Sequence, residues 1–181
     1  MIKPWPCIRS QSSHSFRVFS VRTDTALSPR TGTEHDFYVI ESGDWVNIIP
    51  ITADRQVLMI KQYRHGSRGV TLEIPGGLVE PGDTAEGAAS RELLEETGYR
   101  AKDWEKIGEV SPNPAIFNNR CHIFLARNLM KVSAPLPDQT EDIEALLLPI
   151  GDIPELIRKG EIDHAMVIAA FFYYFSSFKG G

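Results

Sequence analysis

The stretch from Gly76 to Tyr99, GGLVEPGDTAEGAASRELLEETGY, constrains the possible folds of this chain more than any other segment. Its second half predicts a helix, because Ala85, Ala89 and Leu93 recur at helical spacing. These side chains form a narrow apolar stripe that can pack closely against a neighbouring element. Gly98 follows, and glycine is the residue that most often ends a helix. The segment therefore predicts a short helix preceded by a glycine-rich loop.

Three carboxylates share another face of the predicted helix. Glu92 and Glu96 are one turn apart, and Glu95 lies three residues beyond Glu92. Like charges at this spacing destabilise a helix by about 0.2–0.5 kcal/mol per pair, and Arg91 alone cannot neutralise three of them. One interpretation is a solvated acidic surface. The other is a site for a divalent cation, since Mg²⁺ takes carboxylate oxygens beside substrate phosphates.

The loop before the helix favours the cation site. Pro75-Gly76-Gly77 and Pro81-Gly82 predict tight turns with few side chains, which let backbone groups approach phosphates and metal ions. Asp83 and Thr84 are both suitable N-cap residues, and Glu86 is placed to reach back toward an Asp83 cap. The sequence leaves both N-cap alternatives open.

This stretch resembles the Nudix box, G-x5-E-x7-R-E-U-x-E-E-x-G-U, in which U is an aliphatic or bulky apolar residue. The matching positions are Gly77, Arg91, Glu92, Leu93, Glu95, Glu96, Gly98 and Tyr99. Asp83 stands where the family has Glu, so the carboxylate there is one methylene shorter. The resemblance implies a Nudix fold, an α/β/α sandwich with a mixed β-sheet. It also implies metal-dependent cleavage of a nucleoside diphosphate linked to another moiety.

Patterns elsewhere support only strands and helices interspersed along the chain, as in an α/β protein. We expect strands at Ser15–Arg22, His35–Glu41, Trp45–Thr52, Gln56–Tyr63, Thr71–Ile74, Trp104–Ser111, Cys121–Arg127 and Ala145–Ile150. Residues 53–55 connect two of these strands at hairpin length. We expect helices at Ile153–Lys159, capped by Gly151-Asp152, and at His164–Phe178. The last helix is apolar nearly all round, which predicts burial.

The chain divides, on this interpretation, into a β-hairpin extension at residues 1–42 and a Nudix domain at residues 43–181. Relatives that act on nucleotide sugars often carry such an extension, and in them it helps to build a dimer. The resemblance therefore implies a homodimer. The alternative is a local hairpin that covers the same subunit, and the sequence does not decide between the two.

Composition excludes several other classes of protein. The chain has 181 residues, of which 42% are hydrophobic, and its net charge is −5. This charge argues against long nucleic acid as the main partner. Two cysteines, Cys7 and Cys121, form neither a disulfide framework nor a metal-ligand cluster. No stretch predicts a signal peptide or a membrane span, so we expect a cytoplasmic protein.

A basic segment between two predicted strands suits a diphosphate. Arg64 and Arg68 carry guanidinium groups that match phosphate oxygens, although either could be an exposed surface residue. The resemblance favours Arg64, since relatives with a comparable Gln-Tyr-Arg segment use such an arginine at the substrate. Glu73 joins the substrate site or is a sheet-edge carboxylate. The resemblance also implies substrate contacts at Leu78 and at Pro114, whose placement is typical of the ADP-ribose pyrophosphatase and nucleotide-sugar branch.

The resemblance implies a metal site at the loop and helix. Glu92 and Glu96, with the carbonyl of Gly76, would hold one or more Mg²⁺ or Mn²⁺ ions. Glu95 would lie nearby as a further catalytic carboxylate, and Arg64 would stabilise the charge of the diphosphate.

An acidic run before the last predicted strand supplies the expected general base. By itself such a run is typical of a solvated loop. Nudix relatives often place the base, or a further metal carboxylate, in a loop at this position, so Glu141 is the expected residue. Asp142 and Glu144 remain alternatives.

The function implied is hydrolysis of ADP-ribose or another nucleoside diphosphate sugar to a nucleoside monophosphate and a sugar phosphate. Alternative substrates for the same chemistry are dinucleoside polyphosphates, NADH and capped RNA. An alternative of a different class is a regulatory module that binds a nucleotide sugar without hydrolysing it. The three glutamates argue against that module, because a pure binding protein does not need them.

Overall fold

The computed structural model describes residues 1–136 and 142–177. The chain forms two compact units. The first contains Met1–Gly43 and Ser111–Arg120, and the second contains Asp44–Val110 and Cys121–Gly181. Strands and helices are interspersed along the chain, which confirms the α/β class. The predicted domain division between residues 42 and 43 remains a prediction.

The first unit contains a three-stranded antiparallel sheet, in the order β1 (Cys7–Ser15), β2 (Ser20–Leu27) and β3 (Glu34–Glu41). The expected strand at Ser15–Arg22 is wrong, because these residues span the turn between β1 and β2. The extension therefore has one strand more than the predicted hairpin. The third strand agrees with the prediction within one residue.

Polar composition explains why the first strand is not visible in the sequence. The strand β1 reads CIRSQSSHS, and every one of its residues is exposed. Such a strand shows no alternation of apolar and polar residues, so no periodic signal identifies it. Its structure depends on backbone pairing with β2, in which Cys7 lies opposite Ala26 and Ser15 lies opposite Ser20.

The second unit contains two sheets that include parallel and antiparallel pairs. Their orders are β10-β5-β6 and β7-β4-β9-β8, in which only the pair β4–β9 is parallel among the described strands. The strands are β4 (Trp45–Pro50), β5 (Gln56–Arg64), β6 (Gly69–Glu73), β7 (Gly76–Leu78), β8 (Tyr99–Val110), β9 (Cys121–Lys131) and β10 (Ile143–Pro149). The predicted strands of this unit are confirmed. The structure adds one strand, β7, in a segment that was expected to be loop.

The expected hairpin between β4 and β5 forms only at its turn. A single bridge pairs Ile51 with Val57, and the two strands then separate into different sheets. Each strand has other partners on both of its edges, so the backbone groups of both are satisfied without a hairpin ladder. The length of the loop correctly predicted a short turn between β4 and β5. It wrongly predicted that the two strands pair with each other along their length.

The described part of the second unit contains three α-helices: α1 (Ala85–Thr97), α2 (Ile153–Arg158) and α3 (Ala165–Ser177). Thr84 is the N-cap of α1, since its hydroxyl accepts the Gly87 N–H at 3.0 Å, and this decides between the two candidates. Gly98 ends the helix in the left-handed conformation with φ 74°, as expected. Asp152 occupies the N-cap position of α2, as predicted, but its side chain makes no capping hydrogen bond there.

Apolar side chains fill both faces of the sheets. On one face Ala88, Ala89 and Leu93 of α1 are fully buried with residues of β4, β5 and β9. On the other face Phe171 of α3 is fully buried in a second cluster. Each cluster contains residues of both sheets, so the two sheets form one middle layer between helices. This arrangement is the predicted α/β/α sandwich.

The burial of α3 is less complete than expected. Val167, Ala170 and Phe171 are buried, but Phe172 is 68% exposed. A helix that packs on one face of a sheet buries one stripe of residues, whatever the composition of its other side. Among the described residues, no helix is long and apolar enough to cross a membrane.

Substitution of Gly98 by alanine is expected to destabilise the fold more than the same change at Gly160. Both glycines have φ 74°, so both alanines carry the cost of a left-handed residue, about 1–2 kcal/mol. A Cβ at Gly98 would also collide with the carbonyl oxygen of Ser133, whereas one at Gly160 meets nothing within 4 Å. Urea unfolding of both variants measures the difference. Equal losses would show that the close approach to Ser133 does not contribute.

Candidate active site

Two glycines bring the strand β7 into contact with the acidic side chains of α1. The Gly76 N–H donates to Glu96 Oε2 at 3.0 Å, and Glu96 is only 3% exposed. At Gly77 an added Cβ would lie 2.7 Å from Glu92 Oε2 and nearer still to the rest of that carboxyl group. Only a residue without a side chain allows this approach. The loop therefore holds both carboxylates directly beside its backbone.

Arg91 connects the loop to the helix. Its Nη2 donates to the carbonyl oxygen of Leu78 at 2.9 Å, and its Nη1 lies 2.7 Å from Glu92 Oε1 and 3.1 Å from Glu95 Oε2. Burial would lower the pKa of Arg91, but the charges and hydrogen bonds of the two carboxylates outweigh it and raise that pKa. The arginine therefore offsets the repulsion between carboxylates that the sequence predicts on this helix.

Asp83 reaches the same arginine despite its shorter side chain. Its Oδ2 lies 3.5 Å from Nη2 of Arg91, within ion-pair distance. The position at which the chain departs from the Nudix box thus still contributes a carboxylate to the Arg91 cluster. Because Thr84 caps the helix instead, Asp83 is available for this contact.

A second contact secures the far end of the loop and was not anticipated from the sequence. The Val79 N–H donates to the carbonyl oxygen of Asp44 at 2.8 Å. The carboxylate of Asp44 lies 3.0 Å from Nε2 of His122, and Nδ1 of His122 lies 3.0 Å from Glu109 Oε2. Asp44 and His122 are 78 positions apart, so no local spacing in the sequence indicates that they meet.

The donor set fits a hard divalent cation. Glu92 and Glu96 present oxygen ligands beside a glycine loop, and Mg²⁺ commonly takes one or two carboxylates together with substrate phosphates. Within residues 1–136 and 142–177 no three His, Cys, Asp or Glu side chains are grouped closely enough to hold a metal by themselves. A cation here would therefore share its coordination with phosphate oxygens and water.

Arg64 and Glu73 contact each other on adjacent strands. Arg64 donates from Nε to Glu73 Oε1 and from Nη2 to Glu73 Oε2, both at 2.8 Å. Thr71 adds a hydrogen bond of 2.6 Å to Oε1 of the same carboxylate. Burial alone would raise the pKa of Glu73, but the hydrogen bonds from Arg64 and Thr71 outweigh it, so that pKa is lowered. The two predicted substrate residues are thus partners of each other.

The other predicted residues are placed as follows. Glu95 is half exposed beside Arg91. Glu144 belongs to β10 and lies 3.6 Å from Lys61 at the surface, and Asp142 is exposed. Glu141, the expected base, lies outside the described residues. Pro114 belongs to the first unit, in a turn closed by the carbonyl of Asn113.

Comparison with known proteins agrees with the geometry of the second unit. A sequence profile for the NUDIX domain matches residues 42–171. The chain is 32% identical over 129 residues to the ADP-ribose pyrophosphatase of Bacillus subtilis, covering 71% of this chain and 70% of that protein. It is 30% identical over 135 residues to the ADP compounds hydrolase NudE of Escherichia coli, covering 75% and 72%.

Two further similarities extend over more of the chain. The methanol dehydrogenase activator of Bacillus methanolicus is 29% identical over 164 residues, covering 90% of this chain and 88% of that protein. A crystal structure of ADP compounds hydrolase superposes with a TM-score of 0.86 and covers 99% of this chain and 97% of its own, at 24% sequence identity. The structural match shows that the fold is shared.

Removal of the Arg91 guanidinium is expected to destabilise the protein clearly. Arg91→Ala leaves the Leu78 carbonyl and the neighbouring carboxylates without this donor, which costs about 1.5–3 kcal/mol. Arg158→Ala is the matched control, because it removes an arginine whose side chain is 71% exposed in an ion pair with Glu155. Such an exposed surface pair contributes little to stability. Urea unfolding at neutral pH compares the variants, and similar losses would contradict the role given to Arg91.

Proposed function

This chain belongs to the Nudix family of hydrolases, and on that premise we propose that it hydrolyses the pyrophosphate bond of ADP-ribose or another nucleoside diphosphate sugar. The products are a nucleoside monophosphate and a sugar phosphate. Its relatives include an ADP-ribose pyrophosphatase, an ADP compounds hydrolase and an ADP-sugar pyrophosphatase. These relatives support a nucleoside diphosphate compound as the substrate. The reaction that we propose depends on Mg²⁺ or Mn²⁺.

The contact between the glycine loop and the helix carboxylates is the observation that carries this proposal. A solvated acidic surface would leave its carboxylates exposed, but the side chain of Glu92 is 14% exposed and Glu96 is 3% exposed. Burying charged carboxylates costs free energy unless donors or cations compensate it. The Gly76 amide and Arg91 contribute to that compensation, and a divalent cation would add to it.

The cation would be held by Glu92 and Glu96 with the Gly76 carbonyl, and Glu95 would lie beside it. When bound, a divalent cation withdraws charge from phosphoryl oxygens and lowers the pKa of a coordinated water. The chain's own contribution is to keep these oxygens in place before the substrate binds. Arg91 does this by fastening Leu78 and the glutamates to one another.

Other residues would bind the substrate and move the proton. Arg64 would stabilise the charge of the diphosphate, because a guanidinium group suits phosphate oxygens. Leu78 and Pro114 are proposed as further substrate contacts. Glu141 is proposed as the base that accepts the proton of the attacking water, or as a further metal ligand, and Asp142 and Glu144 are the alternatives.

Replacement of Glu96 by glutamine is expected to abolish most of the activity and to weaken Mn²⁺ binding. The change keeps the shape of the side chain but removes its charge, and loss of one stabilising group at a reaction centre costs about 10²-fold or more. Glu86→Gln is the matched control, since Glu86 is an exposed glutamate in the first turn of the same helix. Initial rates with ADP-ribose and Mn²⁺ titration by electron paramagnetic resonance measure the two effects.

The substrate panel for this assay contains ADP-ribose, UDP- and GDP-sugars, NADH, a dinucleoside polyphosphate and capped RNA, each with Mg²⁺, Mn²⁺ or a chelator. We expect chelator-sensitive hydrolysis of a nucleotide sugar. If Glu96→Gln keeps wild-type activity, the metal assignment fails. If no compound is hydrolysed but ADP-ribose binds tightly in calorimetry, the chain is a binding module instead of an enzyme.

We also propose that the first unit forms a homodimer contact. Every residue of β1 is exposed, and the aromatic residues Trp5 and Phe37, which are 44% and 43% exposed, pack edge to face with each other. Among the described residues β1 pairs only with β2, and a sheet with such an edge and exposed aromatic side chains is suited to association. Light scattering is expected to find a dimer that becomes a monomer when residues 1–40 are deleted. A monomer before deletion would exclude the contact.

The cysteines support the cytoplasmic location that we propose. Cys7 is exposed, Cys121 is buried, and both are free thiols. Burial raises the pKa of Cys121 to about 12, so its thiol stays protonated at neutral pH. Free thiols without disulfides are typical of a reducing compartment.

A further inference from the structure

The carboxylate of Glu73 holds the guanidinium of Arg64 in one orientation. Its side chain is 4% exposed, whereas that of its partner Arg64 is 42% exposed. The two hydrogen bonds of 2.8 Å join Nε and Nη2 of Arg64 to the two carboxylate oxygens. Two parallel bonds fix the plane of the guanidinium as well as its distance, which a single bond cannot do.

The sheet register makes this contact possible. Arg64 lies opposite Gly69 in the ladder between β5 and β6, and Glu73 lies opposite Ile60. Between these rows, on the same face, lies the pair of Gln62 with Thr71. The Arg64 side chain therefore extends along the sheet over this middle row to reach the carboxylate.

Thr71 is part of the same arrangement. Its hydroxyl donates to Glu73 Oε1 at 2.6 Å, and it also contacts the carbonyl oxygen of Gln62 at 3.2 Å. Glu73 Oε1 thus accepts one bond from Arg64 and one from Thr71, while Oε2 accepts the other bond from Arg64. Hydrogen bonds to both oxygens therefore hold the carboxylate and restrict its rotation.

The chemical state of Glu73 argues against a role as a proton acceptor. The hydrogen bonds from Arg64 and Thr71, against the opposing effect of burial, keep its pKa below the ordinary range. An ionised carboxylate whose oxygens already accept these bonds is a weak base. Its negative charge would also repel a diphosphate that approached it directly.

We propose that Glu73, held by the hydrogen bond from Thr71, is a positioning residue that orients Arg64 toward the diphosphate of the substrate. This inference rests on the proposed function. A guanidinium that is already immobilised loses little conformational freedom when the phosphate binds, and its orientation is maintained as charge develops. Glu73 therefore acts on the reaction through Arg64 and does not itself touch the substrate.

The test measures kcat and KM with ADP-ribose and Mg²⁺ for Glu73→Gln, Arg64→Lys and the double variant. Glutamine keeps the shape of Glu73 but cannot accept both guanidinium bonds, and lysine cannot form the side-on pair. We expect each single variant to lower kcat/KM about 10-fold to 100-fold. We expect the double variant to be no worse than Arg64→Lys, because the positioning residue then has nothing to orient.

Thr71 provides a matched pair of variants that keep the packing. Thr71→Val removes the hydroxyl without changing the shape and is expected to lower kcat/KM several-fold. Thr71→Ser retains a hydroxyl and is expected to restore most of what Thr71→Val loses. Thermal melting of every variant identifies any that fail to fold, and Glu155→Gln, at an exposed surface pair, is the control for unrelated charge loss.

The outcomes separate this inference from the proposed function. If the wild-type protein hydrolyses ADP-ribose while Glu73→Gln and Thr71→Val keep its kcat and KM, the positioning role is wrong and the function stands. If the double variant lowers kcat/KM by the product of the two single losses, Glu73 acts independently of Arg64 and the positioning role is wrong. If the wild-type protein binds ADP-ribose without turnover, the proposed hydrolysis is wrong, and the positioning role is also wrong if Glu73→Gln and Thr71→Val keep the wild-type dissociation constant. If it neither binds nor hydrolyses any compound of the panel, both proposals fail.

Discussion

The Arg91 guanidinium is the interaction on which the active-site region of this protein depends. It contacts the carbonyl oxygen of Leu78 in β7 and the carboxylates of Glu92 and Glu95 on α1, so it joins acceptor groups of the two elements. Carboxylates and carbonyl oxygens repel at close range unless a donor lies between them. A planar fork with several N–H groups can satisfy all of them at once, which a lysine cannot do.

That interaction requires the helix and loop to approach closely, and small residues make the approach possible. Ala88 and Ala89 are fully buried against the sheet, and Gly76 and Gly77 have no side chain that would separate β7 from α1. Larger residues on either side would move the carboxylates away from the loop. The packing of the core and the geometry of the site are therefore set by the same residues, and mutations in one affect the other.

Three buried or half-buried carboxylates of the second unit share one feature, which is a hydrogen bond from a donor of the protein itself. Glu96 accepts the Gly76 amide, Glu73 accepts Arg64 and Thr71, and Glu92 accepts Arg91. Each of these three carboxylates has a protein donor, so part of the cost of removing its charge from water is offset before any ligand binds. A site built this way is held in its working arrangement by the fold itself, and substrate binding need not assemble it.

Local patterns in the sequence determined the glycines beside α1, the spacing of Glu92 and Glu96, the end of α1 at Gly98 and most core strands, because periodicity and backbone preference act between neighbouring residues. They missed the polar strand β1, which has no apolar alternation. Only the tertiary structure decided that β4 and β5 separate into different sheets, that Arg64 pairs with Glu73, and that Asp44 meets His122. These outcomes depend on strand register and on contacts between distant residues, which spacing along the chain does not encode.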